Sequence, residues 1–287
     1  MNKKEIPEKL EEIELEEKKL KELEILSLYE KEDRVISSEE KLKELEAQKD
    51  LPVMSSCYKG LDNLIDGGFK AGELITITGI TKNGKSCFAR NLCSNLVAQC
   101  INSIYFSYEE TERELLERFP KPYPIFYLPR KLSSQKTEWI SERVGEAKAK
   151  FGIGAVMIDN LDFLLEKDIY KKFGNTSDLI KFIVLDLKNM ARYWEVAVFL
   201  MAHTTQEGMR NEIDIGDLKG SSAIAQISDF VLVIKRLKNR ETGLPGDKSK
   251  VQVLANRRTG RTGEIKMQFE NNQLKEIEKI ENESDNL

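Results

Sequence analysis

The sequence predicts an α/β fold in which a mainly parallel sheet is covered by helices on both faces. Short segments that are apolar at almost every position, among them residues 103–108, 155–158 and 196–201, are typical of strands buried on both faces. These segments alternate with helix patterns at the spacing of βαβ units. In such sheets a ligand binds at the carboxyl ends of the strands, so the residues that follow each strand are the first functional candidates.

Residues 1–50 precede this pattern as a charged amphipathic arm, rich in Glu, Lys and Leu, with apolar residues mostly three or four apart. Ser37 and Ser38, followed by two glutamates, predict a helix N-terminus within it. The arm is either a solvated helix or a surface for oligomerisation or a partner. Pro52 breaks the pattern, so we expect a catalytic domain over residues 51–273 and a polar tail over residues 274–287.

Within the predicted domain, β-branched and apolar residues favour strands, and apolar residues at helical spacing favour helices. Thr111 with Glu114 matches the capping box of a helix over residues 111–119. Further strands are expected at residues 74–78, 125–128, 230–235, 249–255 and 264–269. Further helices are expected near residue 61, after residue 85, and over residues 136–150, 176–194 and 221–227. On the helix over residues 176–194, Leu179, Phe182, Ile183, Leu187 and Met190 are expected to face inward.

Composition limits the classes of protein that the chain can represent. Its 287 residues are 40% hydrophobic and 33% charged, which suits one large domain with an appendage. The net charge of −4 is uneven, because the first 50 residues carry about −6 and the rest about +2. The four cysteines form no C-x-x-C pair, and no apolar run approaches the ~18 residues of a membrane span. We therefore expect a cytoplasmic protein, or one of another reducing compartment, without a membrane partner.

The sequence Gly-Ile-Thr-Lys-Asn-Gly-Lys-Ser matches the phosphate-loop pattern G-x-x-x-x-G-K-[ST]. It lies between a predicted strand and a predicted helix, which is the context that this motif requires. Its glycines allow backbone N–H groups to surround phosphate oxygens, and the helix N-terminus adds further donors. We expect Lys85 to reach the β- and γ-phosphates and Ser86 to hold Mg²⁺. The predicted site for ATP or another NTP comprises Gly79, Ile80, Thr81, Lys82, Asn83, Gly84, Lys85, Ser86 and Cys87.

Three polar residues end other predicted strands. Asp159 is expected to hold Mg²⁺ together with Ser86, although Asp-Asn is also common in turns. Glu109 is expected to orient and deprotonate the attacking water, while its neighbour Glu110 has the alternative role of capping the next helix. His203, the only histidine in the chain, is either a structural residue or, because it ends a strand beside the expected γ-phosphate, a sensor of that phosphate.

Arg257 and Arg258 follow the strand predicted over residues 249–255. They are either solvated basic residues or, in a ring, one of them is an arginine finger that reaches a neighbouring subunit. Arg210 and Lys219 lie in a polar segment that also carries four acidic residues, so its charge alone is weak evidence for nucleic-acid binding.

Taken in order, these motifs resemble the RecA-type motor domain of DnaB-like replicative ring helicases over roughly residues 52–273. The stretches that carry the resemblance, besides the phosphate loop, are Phe-Ser-Tyr-Glu109, Ile-Asp159-Asn-Leu, Met-Ala-His203, Asp-Leu-Lys-Gly-Ser-Ser-Ala-Ile-Ala-Gln226 and Asn-Arg257-Arg-Thr-Gly. Within the family, the chain is most similar to the branch of bacteriophage primase-helicases and mitochondrial Twinkle. It departs from the family at Ala255, where a lysine is usual, and in the acidic character of residues 204–219.

The resemblance implies a RecA-like P-loop NTPase fold and a DNA helicase or translocase that hydrolyses ATP as a ring on single-stranded DNA. It implies that Glu109 is the base, that His203 is the γ-phosphate sensor and that Arg257 is the finger, with Arg258 as the competing residue. It also implies that Arg236 and Phe269 contact the nucleotide base. Residues 204–219, with Arg210 and Lys219, would form a DNA-facing loop in the channel of the ring, and Gln226 would be a DNA-binding residue that links the nucleotide state to that loop.

The implied partners are copies of the same chain in a hexamer or heptamer, and a separate primase or loader, because no primase module is predicted in this sequence. A phage or plasmid replication context fits this arrangement. Two rival functions remain. One is a RecA-like ATPase that binds DNA or protein without unwinding, such as a loader or recombination mediator. The other is a P-loop kinase, for which the proline-rich segment after residue 119 offers no lid of arginines.

Overall fold

The computed structural model describes residues 16, 18–21, 34–47, 52–119, 121–165, 175–203, 221–239, 245–271 and 273–277. The chain divides into two compact units, residues 1–50 and 51–287. In the first unit, helix α1 spans Ser38–Ala47, and the Ser37 hydroxyl accepts a hydrogen bond from the Glu40 N–H at 3.0 Å. The serine-initiated helix predicted in the arm is therefore present.

The second unit contains an eight-stranded sheet and six helices among its described residues. The strands are β1 Leu74–Gly79, β2 Ser103–Ser107, β3 Ala155–Asp159, β4 Ala197–His203, β5 Phe230–Lys238, β6 Pro245–Asn256, β7 Gly263–Glu270 and β8 Gln273–Glu276. The helices are α2 Lys59–Leu64, α3 Lys85–Ala98, α4 Glu112–Glu117, α5 Thr137–Phe151, α6 Thr176–Tyr193 and α7 Ser221–Ile227, and a 3-10 turn spans Leu161–Leu164.

The strand order is β2-β3-β4-β1-β5-β6-β7-β8. Strands β2, β3, β4, β1 and β5 are parallel, whereas β6, β7 and β8 extend the sheet in an antiparallel manner. Side chains alternate between the two faces of each strand. One face packs against α2, α3 and α4, and the other against α5, α6 and α7. The predicted mainly parallel sheet with helices on both faces is confirmed.

Sequence motifs predicted an element correctly where the interacting residues lie close together in the sequence. Thr111 and Glu114 form the predicted capping box at the start of α4, with the Thr111 N–H donating to the Glu114 carboxylate at 2.9 Å. The predicted strand over residues 125–128 is wrong, since only a single bridge joins Tyr127 to Ile104. Prolines at positions 124 and 129 flank that segment and cannot donate hydrogen bonds to a ladder.

Two further expectations differ from the structure. Phe182 is 36% exposed and does not share the buried position of its neighbours on α6. Strand β8, Gln273–Glu276, includes the first three residues of the predicted polar tail, 274–287, and it pairs with β7. Its sequence Gln-Leu-Lys-Glu contains a single apolar residue, so no alternating pattern predicts a strand there. None of the described helices is long and apolar enough to cross a membrane.

Candidate nucleotide-binding site

The phosphate loop connects β1 to α3 at the carboxyl edge of the parallel strands. Gly79 has φ of +152°, and a side chain there would come within 2.3 Å of the Ile234 carbonyl oxygen, so only glycine fits. Gly84 precedes α3 with φ of +96°, and a Cβ atom at this position would meet no atom within 4 Å. The loop therefore has the backbone shape and the open space that a phosphate group needs.

Lys85 lies at the N-terminus of α3 with only 6% of its surface exposed. Its Nζ donates hydrogen bonds to the Gly79 carbonyl at 3.0 Å and to the Ile80 carbonyl at 3.2 Å. Burial lowers the pKa of the Lys85 ammonium to about 8, and the nearby carboxylates of Asp159, Glu109 and Asp162 oppose that shift. The loop carbonyls hold the ammonium beside the space that phosphate oxygens would occupy.

Asp159 ends β3 and is 3% exposed. Burial raises the pKa of its carboxyl to about 6, while a hydrogen bond from the Ser86 hydroxyl acts in the opposite direction. The Tyr105 hydroxyl, on β2, lies 3.4 Å from the Asp159 Oδ2 atom. The Ser86 hydroxyl and the Asp159 carboxylate, which are in contact, form a set of hard oxygen donors, the type that Mg²⁺ prefers.

Glu109 and Glu110 follow β2, and the structure separates their roles. The Glu110 carboxylate pairs with Arg90 of α3 at 3.1 Å and also with Arg118. Thr111 and Glu114 cap the next helix, so the capping role considered for Glu110 is not the observed one. Glu109 remains exposed and turns toward the end of β3.

Asn160 joins the ends of three strands, and sequence reasoning gave it no site role. Its Nδ2 donates to the Glu109 carboxylate at 2.6 Å and lies 3.3 Å from the His203 Nε2 atom. His203 pairs in register with Gly79, the first residue of the phosphate loop. The peptide bond between Asp159 and Asn160 is cis. The structure thus brings Glu109, Asp159 and His203 together around the loop.

Arg236 and Phe269 lie at the same end of the antiparallel extension. The Arg236 N–H donates to the Asn83 side chain of the phosphate loop at 3.2 Å, and its Nε donates to the Gly246 carbonyl at 2.6 Å. Phe269 is 36% exposed on β7, two residues beyond Met267. Met267 pairs with Ser249, which in turn pairs with Arg236. Both residues therefore lie at the edge of the sheet that carries the phosphate loop.

Arg257 lies at the opposite end of the strands, where the parallel strands have their amino ends. The residue before it, Asn256, pairs with Phe230, and Phe230 pairs with Ile75 near the start of β1. Gly79 lies four residue steps along β1 from Ile75, a distance of about 13 Å. The exposed Arg257 guanidinium donates to the Gln226 carbonyl at the end of α7. Arg257 and Gln226 are therefore remote from the phosphate loop of their own chain.

Arg258 has a different environment from Arg257. Its Nη1 donates to the Ile65 and Gly68 carbonyls at 2.6 and 3.0 Å, and its Nη2 pairs with Glu73 at 2.6 Å. Its guanidinium also stacks on the Phe230 ring, 5.1 Å from the centroid. These contacts fasten the end of β6 to the segment that precedes β1. Arg210 and Lys219, the remaining predicted DNA-binding residues, lie outside the described part of the chain.

Two family models match different parts of the chain. The model described as the DnaB-like helicase C-terminal domain matches residues 128–278, more than half of the chain. The chain belongs to the DnaB-like helicase C-terminal domain family. A model of the KaiC ATPase matches residues 54–121, which include the phosphate loop. The resemblance stated from the motifs is confirmed at the level of the family, and the assignment to the primase-helicase and Twinkle branch stays a prediction.

Individual relatives of this DnaB-like domain agree with the family match. A probable replicative DNA helicase of Trieres chinensis is 27% identical over 82% of this chain and 60% of its own length. The replicative DNA helicase DnaB of Treponema pallidum is 23% identical over 78% of this chain and 55% of its own length. The chain thus spans about 60% of the length of the first of these relatives.

Solved structures share the fold of this DnaB-like domain. One, an ATPase domain, has a TM-score of 0.70 and 20% identity over 84% of this chain and 99% of that domain. Another, a DnaB-like replicative helicase, has a TM-score of 0.66 and 20% identity over 89% of this chain and 70% of that chain. At this level of identity the likeness supports the α/β fold described above.

Proposed function

We propose that this DnaB-like domain is the ATP-hydrolysing motor of a ring-forming DNA helicase or translocase. The observation that carries the proposal is the convergence of Lys85, Asp159 and Glu109 at one edge of the sheet, in a chain of this family. Each of these residues supplies one requirement of phosphoryl transfer to water, namely a cation, a metal ligand and a proton acceptor.

The residues at the loop fit a magnesium nucleotide. Ser86 and Asp159 would hold Mg²⁺, since their oxygen atoms already face one another. When bound, the ion would neutralise charge on the β- and γ-phosphates. Glu109 would orient a water molecule and accept its proton, while Lys85 would donate to phosphate oxygens in place of the loop carbonyls. Arg236 and Phe269, at the same edge, would contact the base of ATP or another NTP.

The position of Arg257 supports the proposal that the complete site is formed between subunits. Because this arginine lies level with the amino end of β1, it cannot reach the phosphate loop of its own chain without rearranging the sheet. Its exposed guanidinium is available to a neighbouring chain, whereas Arg258 is engaged with carbonyls of its own domain. We therefore assign the finger role to Arg257 and propose a homo-hexamer or a heptamer.

The DNA-facing elements belong to the same proposal. Residues 204–219, with Arg210 and Lys219, would line the channel of the ring, and Gln226 follows them on α7. The Gln226 carbonyl accepts a hydrogen bond from Arg257, so a shift of α7 on DNA binding would also move the finger. One of the similar structures is described as a DnaB-like replicative helicase and its interactions with primase, and a separate primase or loader is a proposed partner of this chain too.

The proposal is tested by measuring ATP hydrolysis and strand displacement together. We expect Mg²⁺-dependent hydrolysis that single-stranded DNA stimulates several-fold, and unwinding of a forked duplex. Glu109→Gln should still bind ATP but lose about 100-fold or more in hydrolysis, because it lacks the proton acceptor. Glu112→Gln, an exposed glutamate three residues away, is the matched control and should keep wild-type activity.

The rival functions give different results in the same assays. DNA-stimulated hydrolysis without strand displacement would identify a RecA-like ATPase that does not unwind. Hydrolysis that ignores single-stranded DNA would remove the helicase proposal altogether. Phosphate transfer that requires a small-molecule acceptor would identify a kinase.

A further inference from the structure

The side chain of Asn160 is fixed in orientation by the turn that follows β3. It is 1% exposed and serves as the N-cap of the 3-10 turn Leu161–Leu164. Its Oδ1 accepts a hydrogen bond from the Asp162 backbone N–H at 3.0 Å. A backbone N–H can only donate, so the oxygen of the amide must face Asp162 and the nitrogen must face the other way.

The amide nitrogen lies between the proposed base and the proposed sensor. It donates to the Glu109 carboxylate at 2.6 Å, which uses one of its two hydrogen atoms. The second hydrogen is available for the His203 Nε2 atom at 3.3 Å. An amide NH₂ group cannot accept, so His203 Nε2 must be the acceptor in this contact and carries no proton. The neutral ring then has its proton on Nδ1.

We infer that Asn160 is a positioning residue that couples Glu109 to His203 and holds the imidazole as the Nδ1–H tautomer. The inference rests on the proposed function for the roles of the two partners, but the contacts themselves do not depend on it. The buried Asn160 amide donates hydrogen bonds to both side chains. A movement of His203 therefore also shifts the amide that donates to Glu109. The presence of a γ-phosphate at His203 is thereby transmitted to the group that activates water.

A second carboxylate defines the alternative state of the imidazole. The Asp162 Oδ2 atom lies 4.0 Å from the same His203 Nε2 atom. A carboxylate accepts hydrogen bonds, so it favours a proton on Nε2, whereas Asn160 excludes one. Removing the Asn160 donor should therefore move the proton to Nε2 and turn the ring toward Asp162.

The tautomer can be read directly, because the chain contains a single histidine. The protein of residues 1–287 is labelled with ¹⁵N-histidine, and the two ring nitrogens are observed by NMR without nucleotide. We expect Nδ1–H in the wild type and a predominantly Nε2–H ring in Asn160→Leu and Asn160→Asp. Asn160→Asp keeps the oxygen that accepts from Asp162, which protects the turn if the leucine variant does not fold.

The matched control is Asn175→Asp. Asn175 is also an N-cap asparagine, whose Oδ1 accepts from the Asp178 N–H at 2.8 Å, but it lies at the start of α6. This variant should leave the tautomer of His203 unchanged. An Nε2–H ring in the wild type, or an Nδ1–H ring in both Asn160 variants, would overturn the inference.

Kinetics test the coupling between the two partners. Asn160→Leu should lower the kcat of ATP hydrolysis about tenfold or more and leave nucleotide affinity within about twofold, since it misplaces Glu109 without touching the phosphate loop. Adding His203→Ala to Asn160→Leu should lower kcat little further, because both changes break one unit. If the fold-decreases in kcat caused by Asn160→Leu and by His203→Ala multiply in the double variant, the coupling is contradicted. A wild type without hydrolysis would instead refute the proposed function, while the NMR result would still decide the contact.

Discussion

Asp159, at the scale of one residue, shows how burial of a carboxyl proposed to hold a metal ion opposes folding. Burial raises the pKa of its carboxyl from 3.8 to about 6, so the ionised group is less favourable in the folded protein than in the unfolded chain. Below pH ~4 both states are protonated and no penalty exists. The penalty develops between about pH 4 and 6 and is complete above that range.

Asp159→Asn should therefore stabilise the metal-free protein at neutral pH. The shift corresponds to about 3 kcal/mol, and we expect a gain of about 1–3 kcal/mol at pH 8 in the presence of a chelator. Urea unfolding at pH 8 and near pH 4 measures it, and the gain should vanish at the lower pH. The same variant should lose the additional stability that wild type gains from Mg²⁺ with ATP. An equal gain at both pH values would contradict the role of the buried charge.

The sequence predicted the positions of individual residues correctly where a short motif or the end of an apolar strand marks them. The phosphate loop and the strand-end positions of Asp159, Glu109 and His203 follow from patterns within a few residues. The contacts of Asn160 and Tyr105 could not be predicted in the same way, because their partners lie 43 to 54 residues away in the chain. Their sequence signal is only a polar residue within or directly after an apolar strand.

At the scale of elements, an ion pair joins helix α3 to the turn that carries Glu109. Arg90 and Glu110 have only 9% and 12% of their side-chain surface exposed, and their atoms approach to 3.1 Å. Removing Glu110 leaves the buried Arg90 charge without this carboxylate, and removing Arg90 leaves Glu110 paired with the more exposed Arg118. Either single loss is more destabilising than removing both members of a largely buried pair. The pair therefore fixes the turn relative to the phosphate-loop helix.

Arg90→Met should destabilise the domain by about 2–4 kcal/mol, and the double variant Arg90→Met with Glu110→Met by clearly less. The free energy of unfolding in urea measures both, together with Glu110→Met alone to complete the cycle. The exposed pair Lys43–Glu39 on α1 is the control, and Lys43→Met should change stability by about 0.5 kcal/mol or less. Additive effects at Arg90 and Glu110 would show that the pair does not act as a unit.

Element boundaries show where sequence patterns are sufficient. Helix α7 was predicted with its observed limits, and the parallel pairing of β1 to β5 agrees with the βαβ pattern. Strand β5 extends to Lys238, three residues beyond its predicted end at Lys235, because the antiparallel partner β6 continues to pair with it. Hydrophobic periodicity reports burial and therefore ends where burial ends, even when the ladder of hydrogen bonds continues.

At the scale of the whole molecule, the arm of residues 1–50 forms one compact unit and residues 51–287 form another. Deleting it should leave the fold and thermal unfolding of residues 51–287 nearly unchanged, because the sheet and both of its apolar clusters lie in that part. We also expect the deletion to shift the protein toward monomer in sedimentation, if the apolar side of the arm buries itself against a neighbour. An unchanged sedimentation profile would make the arm irrelevant to assembly.

The central claim is that hydrolysis uses Glu109 of one subunit and Arg257 of the next. The most direct test is co-expression of Glu109→Gln with Arg257→Ala, each of which should be inactive alone while still binding nucleotide. In randomly mixed rings, about one interface in four pairs an intact Glu109 with an intact Arg257, so about a quarter of wild-type activity should return. A mixture that remains as inactive as its two components, or Arg257→Ala protein with wild-type activity by itself, would contradict the claim.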